Sequence, residues 1–140
     1  MGLYDLTFYD VIQRNAQNFG SRPAWFEVDD EKTLTFADVK KQVDRLACGL
    51  QKLGIQKGDR ICAVGKNSLE FFLLYGAAAA LGAIVVPINW RLSVDEALFN
   101  VNDCEPKILF VDKELHGKLW QLNDCDVARS ILSCRDSPKR

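Results

Sequence analysis

The sequence predicts an α/β fold: alternating βαβ units forming a mainly parallel sheet with helices on both faces, preceded by an N-terminal helix and a short hairpin. Three observations predict it. From Arg60 onward, short apolar runs (Ile61–Val64, Ile84–Ile88, Ile108–Val111) alternate with capped helical patterns, as strands joined by crossover helices do. The runs are continuously apolar, which suits strands covered on both faces. The chain has 140 residues, 48% hydrophobic and 26% charged, enough to bury roughly two-thirds of its unfolded surface without a metal or disulfide staple.

Thr7 caps the first helix, with Asp10 at its third position and Leu6 placed to staple onto Val11. Phe8, Val11, Ile12, Ala16 and Phe19 follow helical spacing, and Gly20 ends the run. Ala24–Val28 reads as a strand, Asp29–Lys32 as a polar turn and Thr33–Leu34 as the start of a return strand. LTFADV at Leu34–Val39 then repeats five of the six residues of LTFYDV at Leu6–Val11. The match stops there, so the repeat is one of capping chemistry. The second helix keeps Phe36, Val39, Val43, Leu46, Ala47, Leu50 and Leu53 on one face; Gly54 closes it and Ile55 covers its last turn.

Ile61–Val64 is the next strand, and Asn67 with Glu70 is expected to cap a helix reaching Leu81. Phe71–Ile88 carries no charge and just reaches the length of a membrane span. Gly82 is a helix stop, Ile84-Val85-Val86 is β-branched, and Pro87 cannot extend a helix. A buried helix followed by a buried strand is therefore expected, and no transmembrane segment. Ser93 with Glu96 caps a helix carrying Val94, Ala97, Leu98 and Val101. Ile108–Val111 is a third strand, Asp112 starts a helix with Leu115, Leu119 and Leu122, and Val127–Leu132 reads as a fourth strand. Residues 1–134 are expected to form one subdomain and 135–140 a frayed tail.

Lysine plus arginine number 18 and acids 19, interspersed, so no basic stripe points to nucleic acid. The N-terminus lacks a secretory pattern and Leu6 stands where a myristoylation site wants Ser or Thr. The five cysteines (Cys48, Cys62, Cys104, Cys125, Cys134) show no CxxC spacing. With His116 as the single histidine, neither a disulfide framework nor a zinc site is expected; the cysteines read as small buried hydrophobes in a reducing cytoplasm.

Parallel α/β sheets bind ligands beyond the carboxyl ends of their strands. The loop there, Gly65-Lys66-Asn67-Ser68, resembles a phosphate-binding loop only superficially. Arg60 stands where its first glycine belongs and Asn67 where the magnesium-binding hydroxyl belongs. A turn plus helix cap is the expectation. None of Ser21, Ser68, Ser93, Ser130, Ser133 or Ser137 sits in a GxSxG elbow. His116 reads as a surface histidine. Asp29-Asp30 and Asp95-Glu96 fit a turn and a first helical turn, and Trp25, Trp90 and Trp120 fit core or interface.

LTFADV (Leu34–Val39), LGIQKGDRICAV (Leu53–Val64) and AAALGAIVVPINWRLSVDEALFNVNDCEPKILFVD (Ala78–Asp112) together resemble the N-terminal part of the adenylate-forming enzymes. That superfamily includes acyl-CoA synthetases, luciferases and peptide-synthetase adenylation domains. The resemblance runs from about Thr7 to about Leu132, and VPINWRLS is similar to the acyl-CoA synthetase form. It implies a parent that joins a carboxylate, a fatty acid by expectation, to coenzyme A through an acyl-adenylate, using ATP and Mg2+. Such chemistry needs a Ser/Thr/Gly-rich phosphate loop ending in Lys-Gly, a ribose-binding acid and a mobile C-terminal lysine, and none of these occurs here. No catalytic, cofactor-binding or metal residue is therefore assigned. The chain is expected to be an inactive scaffold fragment that binds no cofactor itself. Its expected partners are the remainder of its own polypeptide and, through uncovered apolar surface, a second copy. The alternative is a free-standing, non-catalytic α/β binding or interaction module.

Overall fold

The computed structural model describes residues 5–28, 31–115 and 117, and the backbone of 131–134. In chain order the elements are α1 (Phe8–Phe19), β1 (Pro23–Glu27), β2 (Lys32–Thr35), α2 (Phe36–Lys52), β3 (Arg60–Gly65), α3 (Leu69–Leu81), β4 (Ile84–Asn89), α4 (Val94–Cys104), β5 (Ile108–Asp112), a 3-10 turn (Lys113–Leu115) and β6 (Ile131–Cys134). They form two compact units. One holds the chain up to Lys57 together with Ser68–Ala83; the other holds Gly58–Asn67 and the chain from Ile84 onward.

In the first unit the two similar hexapeptides do the same job. The Thr7 hydroxyl accepts from the Asp10 N–H at 3.2 Å, and the Asp10 carboxylate accepts from the Thr7 N–H at 2.8 Å. Thr35 and Asp38 repeat this at 3.2 and 3.1 Å. Each box satisfies two backbone donors that a helix start leaves open. α2 ends at Lys52, earlier than its apolar face suggests: Leu53 is the C-cap and half exposed, whereas Ile55 is buried, its N–H donating to the Leu50 carbonyl at 3.0 Å. Gly54 takes the positive φ (86°) that this reversal needs.

α3 starts one residue later than expected. Ser68, in extended conformation, is the N-cap and its hydroxyl accepts from the Phe71 N–H at 3.4 Å. Asn67 is thus outside the cap, and Glu70 falls at the second helical position, not the third, so no capping box forms. The apolar core of this unit contains Ile12, Leu34, Val39, Val43, Leu69 and Leu73. Trp25 packs on it, its ring centroid 5.3 Å from that of Phe72. Gly76 is where the helices interlock: a Cβ there would lie 2.8 Å from Ile12 Cδ1 and 2.9 Å from Val43 Cγ2. β1 and β2 form the expected antiparallel hairpin, with Trp25 opposite Leu34 and Phe26 opposite Thr33; Asp29 and Asp30 of its turn lie outside the described residues.

In the second unit a parallel sheet runs in the order β4-β3-β5-β6. β3 sits between two neighbours, and Ile61, Cys62, Ala63 and Val64 are each at most 1% exposed. β4 follows the helix-to-strand switch expected of Phe71–Ile88, but it is not a buried strand. It is an edge of the described sheet, with Ile84 51% exposed and only Ile88 buried. Pro87, which has no N–H to offer a ladder, belongs at such an edge. Ser93 and Glu96 form the expected capping box on α4. The core joins Cys62, Val64, Ile88, Ala97, Val101, Leu109, Val111 and Leu115.

After β5 the chain makes a 3-10 turn, with Leu115 buried. Leu119 and Leu122 of the expected helix, and the expected tail at 135–140, lie outside the described residues. The fourth strand is described over Ile131–Cys134 and extends two residues past the expected end at Leu132, paired with β5 so that Leu109 opposes Ile131 and Asp112 opposes Cys134. Residues 127–130 lie outside the described residues. Among the described residues no helix is long and apolar enough to cross a membrane.

Candidate functional site

The carboxyl ends of β3, β4 and β5 bring together Lys66, the Asn89-Trp90-Arg91 turn and the Asp112–Glu114 segment. The Lys66 ammonium lies 2.6 Å from the Glu114 carboxylate and 5.7 Å from the centre of the Trp90 ring. The Arg91 guanidinium lies 4.8 Å from the same ring. Trp90 itself packs against the core below. Two cations therefore share one aromatic ring, an arrangement favoured by the negative face of the indole.

The backbone holds these groups in place. Asn89 Oδ1 accepts from the Arg91 N–H at 3.0 Å, and the Asn89 carbonyl accepts from the Leu92 N–H at 3.2 Å. Asp112 Oδ1 accepts from the Glu114 N–H at 3.3 Å. Hydrogen bonding to Glu114, reinforced by the charges of Glu114 and Asp112, raises the Lys66 pKa above its ordinary 10.5.

A second polar cluster, in the first unit, borders a groove of about 420 Å³ lined by residues of α1 and α2, including Ala16, Lys41 and Arg45. Tyr9 donates to Asp44 at 2.8 Å and Lys40 pairs with Asp44 at 2.6 Å. Burial opposes ionisation of Asp44, but the Lys40 and Tyr9 hydrogen bonds and the Lys40 charge prevail and lower its pKa. The cluster ties α1 to α2 across thirty-five positions of sequence.

The structure gives Gly65-Lys66-Asn67-Ser68 the roles of strand end, ion-pair partner and helix cap. The Ser68 hydroxyl is engaged at α3 and Lys66 at Glu114. Among the described residues no three His, Cys, Asp or Glu side chains gather where a metal ion could sit. Asp95 and Glu96 lie in the first turn of α4. His116, Trp120 and Ser130 lie outside the described residues. Cys62 is buried and Cys104 half-buried, but Cys48 is exposed, because its position on α2 falls outside the apolar stripe.

The Lys66, Trp90, Arg91 and Glu114 cluster was not singled out by sequence patterning. Its signal was positional: each of its members follows the end of an apolar run.

Comparison with known proteins defines the class. Residues 12–139 match the AMP-binding enzyme family, and the chain belongs to it, corresponding to the N-terminal part of the adenylate-forming enzymes. Among individual relatives, the long-chain-fatty-acid–CoA ligase FadD13 of Mycobacterium tuberculosis is 40% identical over 86 residues, 61% of this chain and 17% of that protein. A long-chain-fatty-acid–CoA ligase of Thermus thermophilus is 31% identical over 113 residues, 79% of this chain and 21% of its own length. The solved Mycobacterium tuberculosis fatty acyl CoA synthetase superposes with a TM-score of 0.86 at 28% identity, covering 91% of this chain and 26% of that one. The chain thus spans about a fifth of the relatives it matches.

Proposed function

We propose that this chain is the N-terminal scaffold of an ATP-dependent acyl-CoA ligase. The parent converts a carboxylate, a fatty acid in this reading, with ATP and coenzyme A to acyl-CoA, AMP and pyrophosphate. The observation that carries the proposal is the family match across residues 12–139, joined to relatives that are long-chain-fatty-acid–CoA ligases. In this reading ATP, Mg2+ and coenzyme A are handled by later segments of the parent, in the cytoplasm. The present residues supply the parallel sheet and the turns at its carboxyl end. Exposed Phe26 and Val28 in the first unit, and Phe99 at 71% exposure in the second, are covered by the remainder of the parent polypeptide. Without it they favour self-association.

A pair of measurements tests this. Pyrophosphate release from fatty acid, ATP and Mg2+ is expected to be absent with the 140-residue chain alone. The same residues, exchanged for the matching segment of the mycobacterial FadD13, are expected to leave acyl-CoA formation within about tenfold of that enzyme, a loss of about 1.4 kcal/mol in transition-state stabilisation. Turnover by the isolated chain, or a folded chimera with no activity, would overturn the scaffold reading.

A further inference from the structure

We propose that Cys62 and Cys104 are a thiol pair that peroxide converts to a reversible disulfide stapling α4 to β3. Their sulfurs lie 3.1 Å apart although 42 positions separate them in sequence. That is about 1 Å beyond the length of a disulfide bond. Both residues are thiols in this structure.

The surroundings keep the two sulfurs together. Cys62 is fully buried in the central strand, flanked in the core by Val64, Val101 and Leu109. Cys104 is the last residue of α4, half-buried, and its thiol lies 3.4 Å from the Val101 carbonyl. Arg60, at the start of β3, clamps the same junction. Its Nε donates to the Cys104 carbonyl at 2.6 Å and its Nη2 to the Glu105 carbonyl at 3.0 Å. The guanidinium thus satisfies carbonyls that a helix end leaves open. Strand β3 and the Arg60-clamped end of α4 thus hold the two thiols beside one another.

The asymmetry of exposure orders the chemistry. Peroxide reaches Cys104 first: the thiol gives up its proton, the sulfur attacks one peroxide oxygen, the O–O bond breaks, and the departing hydroxide takes that proton, leaving a sulfenic acid and one water. The Cys62 sulfur then attacks the Cys104 sulfur, the S–O bond breaks, and the hydroxide leaves as a second water with the Cys62 proton. Two thiols are oxidised by two electrons and one peroxide is reduced to two waters. A thiol reductant reverses the step by exchange.

The experiment treats the full chain with equimolar hydrogen peroxide, blocks remaining thiols with N-ethylmaleimide, and maps tryptic peptides. The expected product joins residues 61–66 to residues 92–107, carries a mass loss of two hydrogens, and disappears on reduction. Oxidation is also expected to raise the melting temperature on the order of 10 °C, since the closed loop is long. Cys104→Ser is expected to abolish both effects, and Cys48→Ser to leave both unchanged. Sulfinic or sulfonic acid at Cys104 with Cys62 still blocked by maleimide would overturn the proposal. So would cross-links confined to the other cysteines. The wild-type map needs no variant to fold.

Discussion

β3 and β4 lie side by side in register, from Arg60 opposite Ile84 to Gly65 opposite Asn89, and both read in sequence as apolar strands. Their environments differ. Four successive residues of β3 are sealed from water, while β4 buries only Ile88 and leaves Ile84 half exposed. Apolar, β-branched content makes each segment a strand, but a strand's burial depends on how many neighbours it has. The same contrast explains Pro87. A residue without an N–H is tolerated in the edge strand, whereas its partner Ala63 pairs on both sides, with Pro87 and with Phe110.

The sharpest way to break the comparison is to move the proline. Ala63→Pro in β3 is expected to prevent folding, since it removes a ladder hydrogen bond in a central strand and adds ring atoms to a sealed site. Circular dichroism and solubility would report it, and a well-folded Ala63→Pro chain would mean that β3 is not central. Next in size, Ile61→Ala should lower stability by about 2–5 kcal/mol, by loss of burial and the cavity left, read from urea unfolding. Ile84→Ala, the same chemistry on the neighbouring strand, should cost less than about 1.5 kcal/mol, because half of that side chain is already in water. Equal losses at the two positions would remove the distinction between centre and edge.

A control away from the parallel sheet is Thr35→Ala, which removes the α2 cap and is expected to cost about 1 kcal/mol. The smallest effect concerns pH. Hydrogen bonds from the side chain and backbone of Thr7 lower the Asp10 pKa below its ordinary 3.8. Thr35 does the same for Asp38, and the Ser93 backbone and hydroxyl lower Glu96 below 4.5. A carboxylate with a depressed folded pKa stabilises fully above its unfolded value, and that contribution is lost as pH falls through the folded one. Melting temperatures should therefore hold near neutrality and decline below about pH 4.5. Asp10→Asn with Asp38→Asn should flatten that decline, and an unchanged acid limb would show that the boxes do not contribute.

Much of the local structure was legible. Thr7 with Asp10, Thr35 with Asp38 and Ser93 with Glu96 are capping boxes in sequence and in structure, because the motif is complete within four residues. The failure at Asn67 has an equally local cause. Asparagine and serine are both good caps, and the choice rests on which residue keeps extended backbone angles, which side-chain type does not report. The turns that build the candidate site were visible only as positions after strands. That Lys66 would meet Glu114, and Trp90 two cations, depended on strand order.

By itself the sequence determined the element types from α1 to β5, the helix starts at three of four caps, the switch from α3 to β4, and the membership of the adenylate-forming enzymes. All of these are set by short-range periodicity, capping chemistry or runs of residue identity. Only the tertiary structure decided that β3 is central and β4 an edge, that Arg60 clamps the end of α4, and that Cys62 faces Cys104 across 42 positions. Those outcomes depend on which strands pair and how helices pack on them. Such long-range choices are made by the whole core together, and no single stretch of residues encodes them.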